Sequence, residues 1–159
     1  MDGGISWGAL AVFVGLAFAA ASSGAFFRPG AWYAELSKPA WTPPNWAFPL
    51  VWSVLYLAIA ASGYLIWATG HADIWPALAV YGVHLVINAA WSALFFGLRR
   101  LDFGMAGVAA LWLSIAATIA LFAPIDRLAA FLLTPYLAWV TIAAALNWRM
   151  LQLNGPRGA

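Results

Sequence analysis

Residues 39–72 read PAWTPPNWAFPLVWSVLYLAIAASGYLIWATGHA, without one Asp, Glu, Lys or Arg. Pro39, Pro43 and Pro44 stiffen the start and confine the helical part to about 45–67. That part is as long as the roughly 20 apolar residues needed to cross a hydrocarbon core. Working outward, the other charges of the chain fall at its intervals: Asp2, Arg28, Glu35, Lys38, Asp73, Arg99, Arg100, Asp102, Asp126, Arg127, Arg149 and Arg157. They leave further uncharged windows at 3–27, 74–98, 103–125 and 128–148, each long enough for one span.

The composition agrees. The chain is 65% hydrophobic and 8% charged, whereas a soluble domain carries about 25% charged residues to cover its surface. The expected fold is an all-α membrane protein, a single domain over 1–159. Its five helices are placed at about 5–27, 45–67, 75–98, 103–124 and 129–151. Strand alternation is absent, which sets a β-barrel aside. The small-residue run AFAAASSGA at 17–25 resembles a cleavage region, but Asp2 precedes it without any basic side chain. The first span is therefore expected to be retained. No cysteine is present, so thiolate chemistry is excluded.

With five spans, Arg127 stands alone on one side, against Arg28, Lys38, Arg99, Arg100, Arg149 and Arg157 on the other. The bias predicts an N-terminus outside and a cytoplasmic C-terminus. The net charge of +2 is a topology signal, and no nucleic-acid partner is expected.

Eleven tryptophans occupy the chain. Trp7, Trp32, Trp41, Trp46, Trp67, Trp75 and Trp148 lie near span ends, where indoles favour the headgroup level. Trp52, Trp91, Trp112 and Trp139 lie deeper. At a 1.5 Å rise per residue they fall roughly 12–15 Å from the basic side, on four different helices. Facing lipid, their N–H groups would lack partners; facing inward, they would wall a cavity suited to a large flat ligand.

His84, Asn88 and Trp91 share one helical face. Asn88 and Asn147 are read chiefly as groups that hold helices together, and His84 as the one ionisable side chain well inside a span. No acid lies in any predicted span, and no metal-ligand, phosphate-loop or nucleophile–base pattern is present. Pro135 is expected to kink the last helix. Small residues Ala79, Gly82, Ala89 and Ala93 offer a face for a second subunit.

The segments WYAELSKPAWTPPNWAFPLVWSVLY (32–56), NAAWSALFFGLRR (88–100) and PYLAW with ALN (135–147) resemble the tryptophan-rich sensory protein / translocator protein family. The resemblance runs through all five spans. It implies a dimeric five-helix bundle in a bacterial cell membrane, inner or outer. Its implied ligands are porphyrins or other tetrapyrroles, sterols and isoquinoline carboxamide-type ligands. It also implies a binding set of Ser22, Ala25, Trp41, Phe48, Trp52, Asn88, Trp91, Phe103, Trp139, Ala143 and Leu146, with Trp52 and Trp139 as candidate catalytic residues in porphyrin photochemistry. No separate cofactor is implied: the porphyrin is the ligand. Phe103 and Ala110 depart from the animal pattern of Trp and Leu. In ALNWRMLQLN, Trp148 and Gln152 replace the tyrosine and basic residue of the proposed sterol motif, so sterol recognition there is not expected. The function expected is a tetrapyrrole-binding membrane sensor or regulator, its pocket capped by the loop after the first span. The alternatives are a light- and oxygen-dependent porphyrin-degrading enzyme, or a transporter of tetrapyrroles or sterols. Missing intramembrane charge and inverted repeats weigh against the last.

Overall fold

The computed structural model describes residues 5–27 and 29–157; Asp2 and Arg28, two of the charges used above, lie outside them. The described residues contain helices and no strand. They are α1 (Trp7–Phe26), α2 (Ala31–Glu35), α3 (Ala47–Ala68), α4 (Ile74–Ser92), α5 (Leu101–Phe122), α6 (Arg127–Leu132) and α7 (Thr134–Asn154), with a π-helical turn, Ala93–Gly97, extending α4. Five stretches are long and apolar enough to span a membrane: α1, α3, α4 with its π turn, α5, and α6 with α7. The five-span all-α expectation holds.

Each span buries one stripe and leaves its other side apolar and open. On α5 the buried positions Leu101, Gly104, Val108, Leu111, Ile115, Thr118 and Phe122 recur at three- and four-residue steps. On α1 only Phe13, Ala17 and Ala20 are buried, while Val12, Leu16 and Phe18 are exposed. Such outward faces suit lipid, where every backbone polar group must be satisfied within the helix.

The spans close into a ring. The first, α1, packs on α3 and α4; α5 sits between α4 and α7; α3 returns to α6. Gly63 permits one of the close approaches. A Cβ there would lie 2.7 Å from both the Phe13 and Tyr81 rings of α1 and α4. One residue earlier on α3, Ser62 donates to the Ala129 carbonyl of α6 at 2.8 Å, and Ala129 is fully buried, small enough for the contact.

The last span is broken rather than kinked. Pro135 has no N–H for the Phe131 carbonyl, the Thr134 hydroxyl donates to that oxygen at 2.7 Å instead, and the helix restarts after Leu133. The N-cap Asp126 accepts from Ala129 N at 2.8 Å and starts α6.

The second departure from the expected helices is the π turn, closed by Leu98 N donating to the Ala93 carbonyl at 2.9 Å. It turns Phe95 into the bundle, where the ring stacks on Trp91 at 5.4 Å. Arg99 follows at φ 53°, left-handed backbone for a residue with a Cβ, a strain of order 1–3 kcal/mol that its surroundings must over-determine.

Candidate functional site

At the basic end, where Arg99, Arg100, Arg149 and Arg157 gather, α7 makes no backbone approach to α3 comparable to that between α6 and α3. Aromatic side chains bridge the gap. Phe48 of α3 meets Trp139 edge-on at 5.6 Å, and Trp52 meets Tyr136 edge-on at 5.9 Å. Trp52 also stacks on Tyr56 at 5.4 Å. Below these rings, the Tyr56 hydroxyl donates to Asn88 Oδ1 and Asn88 Nδ2 donates to the Tyr136 hydroxyl, both at 2.7 Å. One amide thus ties α3, α4 and α7 together, as expected of a buried polar group in a span.

The four deep indoles divide. Trp91 donates to the Gly104 carbonyl at 3.2 Å and fastens α4 to α5. Trp112 donates to Thr141 Oγ1 at 2.9 Å, on a seam where Thr141 is exposed. It stands one residue after the buried Leu111, on the flank of the α5 stripe, where it is partly buried against the main core. Equal depth therefore did not mean a shared wall for Trp112. The indole N–H groups of Trp52 and Trp139 meet no acceptor among the described residues, and both rings are half-buried across the same gap.

Of the residues singled out in the sequence, the structure brings together Phe48, Trp52, Asn88, Trp91, Trp139, Ala143 and Leu146. Trp52, Trp91, Trp139 and Ala143 pack on the main core, while Leu146 is buried in a second cluster with Leu36, Phe95, Leu101 and Met150, against which Phe48 and Trp91 also pack. Ser22 and Ala25 stay on α1, with Ser22 donating to its own helix at the Ala19 carbonyl and Ala25 exposed. Trp41 is an exposed loop residue, and Phe103 is an exposed one beneath the Arg100 guanidinium, 4.2 Å from its ring centre. Ala79 is exposed, and Gly82, Ala89 and Ala93 are partly so.

The loop between α1 and α3 closes over this end. Leu36 is buried there, and Ser37 exchanges two backbone bonds of 2.8 Å with the Asn154 side chain at the end of α7. Trp32 and Tyr33 of α2 pack edge-on against Phe95 at 5.8 and 6.2 Å. The π turn is what offers them that ring.

Sequence reasoning missed Tyr56 and Tyr136. Both carry the signal that marked Asn88, a polar tip inside a span, one turn from Trp52 and Trp139 respectively. It also missed Ser37 and Asn154, whose partnership spans most of the chain. His84 is fully buried between the Tyr81 and Tyr136 rings, at 5.1 and 5.8 Å, and neither ring nitrogen meets a hydrogen-bond partner among the described residues. Among the described residues no three His, Cys, Asp or Glu side chains gather to hold a metal.

Five apolar spans in a closed ring, with an aromatic seam at one end, define a multi-pass integral membrane protein. The chain belongs to the TspO/MBR family, which matches it over residues 9–153. It is 42% identical to protein CrtK of Rhodobacter capsulatus over 137 residues, covering 85% of this chain and 86% of that one. It is 36% identical to the tryptophan-rich sensory protein of Cereibacter sphaeroides over 153 residues, 96% of each chain. The human translocator protein is 37% identical over 132 residues, 80% of this chain and 78% of its own. The resemblance carried by the tryptophan-rich motifs is thereby confirmed.

Proposed function

We propose that the protein binds a tetrapyrrole such as protoporphyrin between α3 and α7 and acts as a membrane sensor or regulator. The observation that carries the reading is the pair of indole N–H groups, Trp52 and Trp139, that meet no acceptor among the described residues, on two helices held apart by aromatic rings. Flat apolar walls suit a macrocycle, and the N–H groups are donors for its polar edge. The Tyr56–Asn88–Tyr136 chain is a rigid floor, and the Ser37–Asn154 clasp is a lid. The relatives' names, tryptophan-rich sensory protein and translocator protein, support a role in sensing or binding. The basic residues favour an orientation with this end cytoplasmic, and the partly open Ala79, Gly82, Ala89 and Ala93 are the face proposed for a homodimer. Protoporphyrin should quench tryptophan emission saturably. Quenching unchanged in Trp52→Ala/Trp139→Ala would dismiss this site.

A second reading, light- and oxygen-dependent degradation of the porphyrin, is favoured by one feature. Trp52 stacks on Tyr56 at an interplanar angle of 29°, an arrangement in which an oxidised indole has an aromatic neighbour to share the hole. Illumination of the loaded protein with and without oxygen, following the Soret band, separates the readings. A band that persists under both conditions leaves a sensor, and oxygen-dependent loss that needs Trp52 makes an enzyme.

A further inference from the structure

Two surface clefts lie outside the aromatic seam, and they meet. One, of about 500 Å³, is lined by Trp32, Leu98, Arg99, Arg100, Phe103 and Arg157. The other, of about 380 Å³, is lined by Phe27, Ala90, Ala93, Leu94, Gly97 and Leu98. Leu98 belongs to both. The first is cationic and sits where two spans end. The second is lined by apolar residues and runs along α4 and its π turn, about 10 Å from Ala90 to Gly97 at the helical rise. We propose that together they bind one anionic phospholipid, its phosphate in the arginine cleft and an acyl chain in the α4 groove.

The cationic cleft is assembled from three distant segments, and its backbone is pinned. The Pro156 carbonyl accepts from Leu101 N at 2.8 Å, and the Arg157 carbonyl accepts from Trp32 Nε1 at 3.1 Å. Arg99 is held at its left-handed φ of 53° on the turn between them. Arg100 is committed to Asp102, with Nε donating to Oδ1 at 2.8 Å, and those bonds raise its pKa above the ordinary guanidinium value. The Arg99 and Arg157 side chains bond to no other described residue. Three guanidiniums less one carboxylate leave two positive charges around the cleft. Guanidinium forks suit a phosphate.

The groove is shaped for a chain. Gly97 has no side chain, and a Cβ there would come within 2.9 Å of the Phe27 ring. Ala90 and Ala93 keep the floor low. A second copy of the protein is the rival occupant, since Ala93 also ends the small-residue face proposed for a homodimer; with lipid in the groove, that face is confined to Ala79, Gly82 and Ala89. A two-fold interface centred here would set like charges against each other. A free phosphate would satisfy the first cleft and leave the second without a role. This inference stands apart from the tetrapyrrole reading.

The test is native mass spectrometry of the full chain, delipidated in a neutral detergent and offered equal amounts of dioleoyl phosphatidylglycerol and dioleoyl phosphatidylcholine. About tenfold greater retention of phosphatidylglycerol is expected, given the attraction of two basic side chains to an anionic headgroup. Arg99→Gln/Arg157→Gln should bring the two lipids to parity, and Arg99→Lys/Arg157→Lys should keep most of the preference. Ala90→Leu/Ala93→Leu should lower retention of phosphatidylglycerol with both arginines intact. Equal retention by the unaltered protein, or a preference indifferent to the arginine-to-glutamine pair, would overturn the proposal. So would displacement of the lipid by equimolar inorganic phosphate, which would make this a phosphate site. A leucine pair that alters dimer mass and leaves lipid retention alone would assign the groove to a second copy.

Discussion

Replacing Asn88 by Leu should reveal how the seam is held. Asn88 is 3% exposed and Tyr136 is fully buried, and the amide makes two bonds of 2.7 Å, to hydroxyls on α3 and α7. Interhelical hydrogen bonds in membranes average about 0.6 kcal/mol and reach about 1.7 kcal/mol. Two of them set a loss of about 1–3 kcal/mol for Asn88→Leu, since both hydroxyls are stranded while the side-chain volume is kept. In a Tyr56→Phe/Tyr136→Phe background the same replacement strands nothing and should cost under about 1 kcal/mol, a coupling that a double-mutant cycle isolates. Unfolding by sodium dodecyl sulfate from dodecyl maltoside micelles, followed by far-ultraviolet circular dichroism, measures all four proteins. Equal losses in the two backgrounds would refute the amide as the tie between α3 and α7.

Gly63→Ala would push a methyl to 2.7 Å from the Phe13 and Tyr81 rings; a loss of about 1–3 kcal/mol is expected in the same unfolding assay. Asn154→Ala removes both clasp bonds to Ser37 and should speed proteolysis and amide exchange across residues 29–46 while the spans stay protected. Ala143→Thr, one turn beyond Trp139, adds a β-branched hydroxyl that bonds back along α7; protoporphyrin should bind roughly fivefold more weakly, about 1 kcal/mol, by quenching titration. Ala79→Leu and Gly82→Leu should shift the protein toward monomer by light scattering in detergent, and an unchanged mass for both would move the subunit face elsewhere.

The spans were legible because charge is forbidden in their middles, so Asp73, Arg99, Arg100, Asp126 and Arg127 mark their limits directly. Rotation about each axis was harder to read. In lipid the outer face of a helix is as apolar as the inner one, and the hydrophobic period that orients a soluble helix is lost. That is why depth alone grouped Trp112 with Trp52 and Trp139, although α5 turns it onto Thr141. Polar tips do carry rotational information: Asn88 pointed inward from sequence, and Tyr56 and Tyr136 would have done so by the same logic. Pro135 was visible as a disruption, but the helix break required Thr134 as a substitute donor. The π turn has no such local mark. It is written in the packing of Phe95 against Trp91, Trp32 and Tyr33.

The break at Leu133 has a mechanical consequence. Below it, α6 is gripped by α3 through Ser62; above it, α7 is a separate rod of 21 residues, about 30 Å long. The rod lies along α5, so the movement the break allows it is a small tilt. A ligand that wedges Trp139 away from Phe48 by tilting α7 only about 5° at its base would carry the far end about 2.5 Å sideways, by the same rise per residue. Asn154 rides on that end, and a displacement of that size exceeds what its 2.8 Å bonds to Ser37 tolerate. If the proposed ligand lodges beside Trp139, occupancy deep in the bilayer would in this way open a latch at the surface.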